Sequence, residues 1–155
     1  MNDKRLYSPS YVREVLHTYG FNFSKSLGQN FLIDGNIVRN ICDEGQITKD
    51  DDILEIGPGI GTLTEELSIR ANKVVAVEID KSLLPILEET LGAYDNIDIV
   101  HGDILKLNLP ALISEKFEKN IKVVANLPYY ITTPIITRLL EEEIEVRETL
   151  NRVKE

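Results

Sequence analysis

The run Asn126-Leu127-Pro128-Tyr129-Tyr130 combines groups that could act on an aromatic amine. Asn126 offers a side-chain carbonyl acceptor, and Pro128, which lacks an N–H and has a fixed φ, can hold the Leu127 carbonyl in one orientation. Two acceptors on an exocyclic amine would draw its lone pair out of ring conjugation, toward an electrophile such as a sulfonium methyl. Tyr129 or Tyr130 could stack on a flipped base. The alternative is that both tyrosines are half-buried core residues and that Pro128 only forms a turn.

A glycine-rich turn, Gly57-Pro58-Gly59-Ile60-Gly61, follows a short apolar run. Glycines between a strand and a helix let the backbone approach a ligand closely. In the dinucleotide fingerprint G-x-G-x-x-G the third glycine falls one position later, where this chain has Thr62. The spacing therefore predicts a nucleoside-containing ligand over Gly57 and Gly59, but not the pyrophosphate type of site. The alternative is a tight turn that binds no ligand.

Two carboxylates follow later apolar runs, where nucleoside sites commonly place them. Glu78 interrupts an otherwise apolar run and could accept hydrogen bonds from both hydroxyls of a ribose. Asp103 could accept a hydrogen bond from the exocyclic amine of an adenine, with Ile79 and Ile104 on the two faces of the ring. The alternatives are that Glu78 is a solvated charge and that Asp103 is only a turn residue.

Short apolar runs alternate with helical patterns from residue 53 onward. This alternation predicts an α/β fold, in which a Rossmann-like parallel sheet has helices on both faces and right-handed crossovers. The predicted strands are 53–56, 73–79, 96–100 and 121–125. The predicted helices that follow them are 62–71, 81–91, 110–117 and one that opens at Thr133-Pro134. Ligands are expected beyond the carboxyl ends of the strands.

Two further helices are predicted upstream of the sheet. The first follows a capping Ser8-Pro9 and ends at Gly20. The second begins after a capping Asp34 and ends at Gly45. Its apolar face is predicted to comprise Ile37, Val38, Ile41 and Cys42.

Composition restricts the classes of partner. A net charge of −9 over 155 residues argues against RNA binding by bulk electrostatics. The first 30 residues carry four basic and two acidic side chains, so any phosphate contact is expected there. One cysteine and two histidines argue against a His/Cys zinc site, and no metal is expected. No apolar run approaches the ~20 residues that span a bilayer. No signal peptide is evident, and the single cysteine fits a reducing, cytoplasmic location.

The sequence resembles the ribosomal RNA adenine dimethyltransferases from about Tyr7 to Glu142. The resemblance rests on the runs SLGQNFL (26–32), EIGPGIG (55–61), VEID (77–80) and NLPYYITTP (126–134). Relatives that methylate large-subunit rRNA usually have a non-aromatic residue at the position of Tyr130. The chain therefore looks more like the small-subunit branch.

That resemblance implies a class I S-adenosyl-L-methionine-dependent methyltransferase. It implies transfer of two methyl groups to the N6 amine of each of two adjacent adenosines in small-subunit rRNA, within a pre-30S particle. The implied catalytic residues are those of the run 126–130. The implied cofactor contacts are Gln29, Asn30, Leu32, Gly57, Gly59, Glu78, Ile79, Asp103, Ile104 and Asn126.

Family members continue well beyond this chain, with further strands and a helical RNA-binding domain. We therefore expect three parts: a helical and loop segment at 1–45, an incomplete methyltransferase core at 46–142 and an acidic tail at 143–155. The tail is expected to be a solvated helix or frayed. Strand 121–125 would then be an exposed sheet edge that self-associates or pairs with apolar residues of the tail.

Two other functions remain open at this point. The glycine turn and Glu78 also suit a nicotinamide-dependent oxidoreductase, although the glycine spacing and the lack of an evident proton donor disfavour it. A fragment of such a methyltransferase could also bind the cofactor without catalysing methyl transfer.

Overall fold

Helices and parallel strands alternate along the chain in the computed structural model. The structure describes residues 6, 8–20, 35–125, 134–135, 137–139 and 141, and the backbone of 149–150. The helices are α1 (Pro9–Thr18), α2 (Gly35–Glu44), α3 (Thr62–Arg70), α4 (Leu84–Leu91) and α5 (Leu109–Lys116). The strands are β1 (Asp51–Ile56), β2 (Lys73–Glu78), β3 (Ile97–His101), β4 (Asn120–Ala125) and β5 (Thr149–Leu150). The described residues 134, 135, 137–139 and 141 are helical and are called here the C-terminal helical segment.

The strands form one sheet in the order β3-β2-β1-β4-β5, and each neighbouring pair is parallel. Ile56 at the end of β1 pairs with Val77 of β2 and with Ala125 of β4. The carboxyl ends of these three strands therefore meet at one edge of the sheet. The predicted Rossmann-like α/β fold is confirmed.

Two apolar cores cover the two faces of this sheet. Side chains alternate between the faces along each strand, so neighbouring residues of one strand enter different cores. On one face, Ile53, Val74 and Val124 pack with residues of α2 and α3. On the other face, the core comprises Leu54, Ile56, Val77, Ile104, Leu109, Val123, Ala125, Ile135 and Leu139. Because helices cover both faces, most positions of β1 to β4 are apolar.

Strand β1 begins at Asp51, two residues earlier than predicted. The predicted strand began at the first apolar residue, whereas Asp51 and Asp52 are charged and yet buried within the strand. Asp51 accepts a 2.9 Å hydrogen bond from Nζ of Lys122. Asp52 accepts from the backbone N–H groups of residues 118–119 and from Asn72. Desolvation opposes ionisation of Asp52, but these donors outweigh it and hold its pKa below the usual range. Buried charges are tolerated when they are paired in this way.

Other boundaries differ by one to three residues. Strand β2 ends at Glu78 and leaves Ile79 outside it. The helix predicted from residue 81 begins as a 3-10 turn, because the Asp80 side chain accepts from the N–H of Ser82. Strand β3 runs from 97 to 101, not 96 to 100, and α5 begins at 109 behind the capping side chain of Asn108.

Two details of the upstream helices also differ from prediction. Ser8 occupies the N-cap position of α1, but its side chain makes no capping hydrogen bond. Ile37 is 39% exposed, so the buried face of α2 consists of Val38, Ile41 and Cys42 without it. Asp34, the predicted cap of α2, lies outside the described residues.

The tail prediction is wrong at β5, where a solvated helix or frayed end was expected. Thr149 pairs with Val124 and Leu150 pairs with Ala125 in parallel register. The tail therefore covers the end of the β4 edge, which was one of the two outcomes predicted for that edge.

None of the helices in the described part of the chain has the length and hydropathy of a membrane-spanning segment.

Candidate functional site

The glycine turn lies at the carboxyl end of β1. Gly57, Gly59 and Gly61 have φ values of +72°, +63° and +95°. A side chain at such angles costs about 1–2 kcal/mol per residue, so glycine is needed to form the turn. The N–H of Gly57 donates to the carbonyl of Val77 at 2.9 Å, which joins the turn to β2. The turn then leads directly into the N-terminus of α3.

Glu78 binds this turn from the carboxyl end of β2. Its side chain is only 4% exposed. Oε1 accepts from the N–H of Gly59 at 3.2 Å, and Oε2 accepts from the N–H of Asp80 at 2.8 Å. Desolvation raises the pKa of Glu78, and the backbone donors at Asp80 and Gly59 oppose that rise. Glu78 is thus a buried carboxylate beside the turn and not a solvated charge.

The carboxylate of Glu78 can accept further hydrogen bonds from a ligand. An ionised carboxylate has about four lone-pair sites, and the two backbone donors occupy two of them. A ribose diol could therefore be accepted without displacing the turn. The buried position makes such hydrogen bonds stronger than they would be in water.

Asp103 lies in the loop 102–108 between β3 and α5, called here the Asp103 loop. Gly102 donates its N–H to the carbonyl of Glu78 at 3.0 Å, so the loop is joined to the end of β2. Asp103 Oδ1 accepts from the N–H of Leu105 at 2.9 Å. Among the described residues, none donates to Oδ2. Asp103 is a turn residue, as the alternative interpretation held, and it also keeps one carboxylate oxygen available.

Ile79 and Ile104 differ in their surroundings. Ile79 is 61% exposed, whereas Ile104 is 5% exposed and belongs to the core with Val77 and Leu109. An adenine could pack on Ile79 as an open apolar surface. Its contact with Ile104 would be limited to the edge of that core. The sandwich between the two side chains stays a prediction.

Glu55 is a buried carboxylate that the sequence reasoning did not single out. It lies on β1, two residues before Gly57, and is 2% exposed. Thr64 of α3 donates its hydroxyl to Glu55 Oε1. Desolvation, together with the charge of Glu78, raises the pKa of Glu55 to about 8, although the Thr64 hydrogen bond acts to lower it. An acidic residue within an apolar run was the signal available, the same one that identified Glu78.

The remaining predicted site residues lie outside the described residues. These are Gln29, Asn30, Leu32, Asn126, Leu127, Pro128, Tyr129 and Tyr130. Strand β4 ends at Ala125, which pairs with Ile56, and Gly57 follows Ile56 directly. The chain thus leaves β4 beside the glycine turn. The contacts of those eight side chains stay predictions.

The described part of the site suits a nucleoside without a pyrophosphate. Glu78 is a buried carboxylate, Asp103 is a partly buried one, and the exposed Ile79 lies between them in sequence. Among the described residues, no group of three or more His, Cys, Asp or Glu side chains could hold a metal ion.

Comparison with protein families gives one matching family model. It is described as "Ribosomal RNA adenine dimethylase" and matches residues 20–151. The "Ribosomal RNA small subunit methyltransferase A" of Alkaliphilus oremlandii (strain OhILAs) is 56% identical over 144 residues, which cover 92% of this chain and 50% of that protein. The chain spans about half the length of the curated relatives it matches.

Two solved structures of methyltransferases are similar to this chain in both fold and sequence. The 23S rRNA methyltransferase ErmE superposes with a TM-score of 0.64 at 33% identity, over 76% of this chain and 45% of that one. A dimethyladenosine transferase from Plasmodium falciparum superposes with a TM-score of 0.60 at 30% identity, over 72% of this chain and 38% of that one.

Proposed function

The chain belongs to the ribosomal RNA adenine dimethylase family, and from this premise we propose that it forms the cofactor-binding part of an RNA adenine N6-methyltransferase. The proposed substrate is a pair of adjacent adenosines in small-subunit rRNA, within a pre-30S particle. The observation that carries the proposal is Glu78, whose buried carboxylate contacts Gly59 of the turn at 3.2 Å. Relatives named for methyl transfer to small-subunit rRNA support it.

The proposed cofactor is S-adenosyl-L-methionine, whose sulfonium supplies an electrophilic methyl group when bound. In this proposal Glu78 accepts hydrogen bonds from the ribose hydroxyls. Asp103 accepts one from the adenine amine through Oδ2. Gly57 lets the backbone approach the methionine part. Gln29, Asn30 and Leu32 would complete the site from the N-terminal loop, as the family resemblance implies.

The proposed catalytic residues are those of the run 126–130, directly after β4. Asn126 and the Leu127 carbonyl would accept the two hydrogens of the target amine and direct its lone pair at the methyl group. Pro128 would fix the Leu127 carbonyl. Tyr129 and Tyr130 would stack on the flipped adenine, an interaction worth ~1–3 kcal/mol per base.

RNA contacts within this chain would come from its N-terminal part, where basic residues outnumber acidic ones. We propose a cytoplasmic location, because the proposed substrate is small-subunit rRNA. The second candidate is a fragment that binds cofactor without methyl transfer. It is favoured by the length of the relatives, which is about twice the matched region.

Methyl transfer from labelled cofactor to immature small ribosomal subunits tests the proposal. This chain is compared with the same sequence extended to the length of its relatives. The extended chain should transfer label to adenosine, and Tyr129→Ala should reduce transfer while leaving cofactor affinity nearly unchanged. No transfer by the extended chain would contradict the proposed activity. Transfer only by the extended chain would identify this one as the inactive, cofactor-binding fragment.

A further inference from the structure

We propose that Arg138 is a positioning residue, which holds the Asp103 loop so that Asp103 can read the amine of the adenine. This inference rests on the proposed cofactor site and adds to it a residue outside the motifs. Arg138 lies in the C-terminal helical segment, which follows the predicted catalytic run. Its guanidinium reaches across to a loop more than 30 residues earlier in the chain.

The contacts are two hydrogen bonds to backbone carbonyls. Nη1 of Arg138 donates to the carbonyl of Ile104 at 2.7 Å, and Nη2 donates to the carbonyl of Leu107. The planar guanidinium presents its donors in a fixed fork, so two acceptors bound by it are held at a fixed separation. Both acceptors belong to the Asp103 loop.

The Asp103 loop also contains hydrogen bonds between its own residues. The carbonyl of Asp103 accepts from the N–H groups of Lys106 and Leu107 at 2.8 and 2.9 Å. Oδ1 of Asp103 accepts from the N–H of Leu105. These bonds orient the Asp103 side chain relative to its loop. Arg138 then orients the loop relative to the rest of the domain.

Packing beneath the loop supports the same connection. Ile135 and Leu139 of the C-terminal helical segment share one core with Ile104, which lies in the loop, and with Leu109, which follows it. Apolar packing fixes distance but tolerates small rotations and slides. The directional hydrogen bonds of Arg138 restrict these motions. A displacement of Oδ2 by about 1 Å would be enough to lose a good hydrogen bond to an amine.

The test measures discrimination at the adenine amine and not affinity alone. Calorimetric titration compares S-adenosylhomocysteine with S-inosylhomocysteine, in which an oxygen replaces that amine. The wild-type chain should prefer the adenosyl ligand by about tenfold or more, because Asp103 accepts from the amine and repels the oxygen. Arg138→Ala should reduce that preference to about threefold or less. A general loss of structure would weaken both ligands equally and leave the ratio unchanged.

Two further variants keep the test decisive. Arg138→Lys retains the charge but cannot present two donors in a fixed fork, so its ratio should fall between wild type and alanine. It carries the test if the alanine variant does not fold. Arg39→Ala is the matched control, because Arg39 lies on α2, whose buried residues belong to the core on the opposite face of the sheet. Its ratio should equal that of wild type.

The outcomes separate this inference from the function on which it rests. A wild-type ratio in both Arg138 variants overturns the inference and leaves the cofactor site intact. A wild-type chain that binds S-adenosylhomocysteine without discriminating between the ligands also overturns it. A wild-type chain that binds neither ligand overturns the proposed function as well.

Discussion

Ionisation of Glu55 should influence folding strongly. Its pKa is raised from 4.5 to about 8 in the folded chain. Below pH 4.5 both states carry the proton. Between pH 4.5 and about 8 the unfolded chain loses the proton and the folded chain keeps it, so stability falls as pH rises. At about 1.4 kcal/mol per pH unit, the whole shift corresponds to roughly 5 kcal/mol.

Glu55→Gln should remove this pH dependence, because glutamine keeps an acceptor for Thr64 and has no proton to lose. We expect the free energy of unfolding of the variant, relative to that of wild type, to increase steadily from pH 5 to pH 8. Urea unfolding across that range measures it. Glu88→Gln changes an exposed glutamate of α4 and should leave the pH profile unchanged. Parallel profiles for wild type and Glu55→Gln would show that Glu55 ionises normally.

Single residues were predicted from sequence where their type conflicted with their neighbours. Glu78 was identified because burying a carboxylate within an apolar strand is costly unless the carboxylate has partners. Glu55 stands in an equally apolar run, yet its hydrogen-bond partner Thr64 lies on the helix that follows, and that contact has no local signature. Ile37 was assigned to the buried face of α2 by spacing alone. The face that α2 presents depends on α3 and the sheet.

At the scale of elements, the glycine turn and α3 meet α4 at Gly61. A Cβ added there would lie 2.9 Å from Cγ and Cδ1 of Leu91, at a φ of +95°. Gly20 has a φ of +77°, and a Cβ added there would have no atom within 4 Å. A substitution at Gly20 therefore measures the cost of backbone strain alone. Gly20→Ala should cost about 1–2 kcal/mol. Gly61→Ala should cost at least about 1 kcal/mol more, because overpacking adds to strain.

Denaturant unfolding of the two alanine variants checks this difference. Equal losses would mean that Leu91 moves aside without cost. A larger loss at Gly20 would contradict the packing of the turn against α4.

The short strand β5 should protect the β4 edge from other chains. It pairs only with Val124 and Ala125, at the end of β4 nearest the site. Unpaired N–H and C=O groups at a sheet edge promote association. A chain ending at residue 142 should therefore self-associate more than the full chain. A chain lacking only residues 151–155 keeps β5 and should behave like the full chain. Light scattering over a concentration series compares the three, and equal scattering would show that β5 gives no protection.

The order of elements was predictable because apolar runs and helical patterns alternate clearly from residue 53 onward. The ends of elements were less so. Asp51 and Asp52 extend β1 only because Lys122 and backbone donors neutralise them, and those partners lie far away in sequence. Strand β5 was missed as an element because a two-residue strand has no pattern of its own. It forms through the edge that β4 offers.

For the molecule as a whole, the sheet brings three distant parts of the chain to one edge. The glycine turn, Glu78 and the Asp103 loop are linked by backbone hydrogen bonds between neighbouring strand ends and by the bond from the N–H of Gly59 to the carboxylate of Glu78. The carboxylates at this edge are acceptors of the kind that hold the ribose of a nucleoside ligand.

Titration of the chain with S-adenosylhomocysteine and with NADH tests the central claim most directly. We predict that S-adenosylhomocysteine binds one site per chain and that NADH does not bind. Glu78→Gln should weaken S-adenosylhomocysteine binding by about tenfold to a hundredfold, since charge-assisted hydrogen bonds contribute ~1.5–3 kcal/mol. Glu88→Gln should bind like wild type. Tighter binding of NADH, or unchanged affinity in a folded Glu78→Gln variant, would contradict the account.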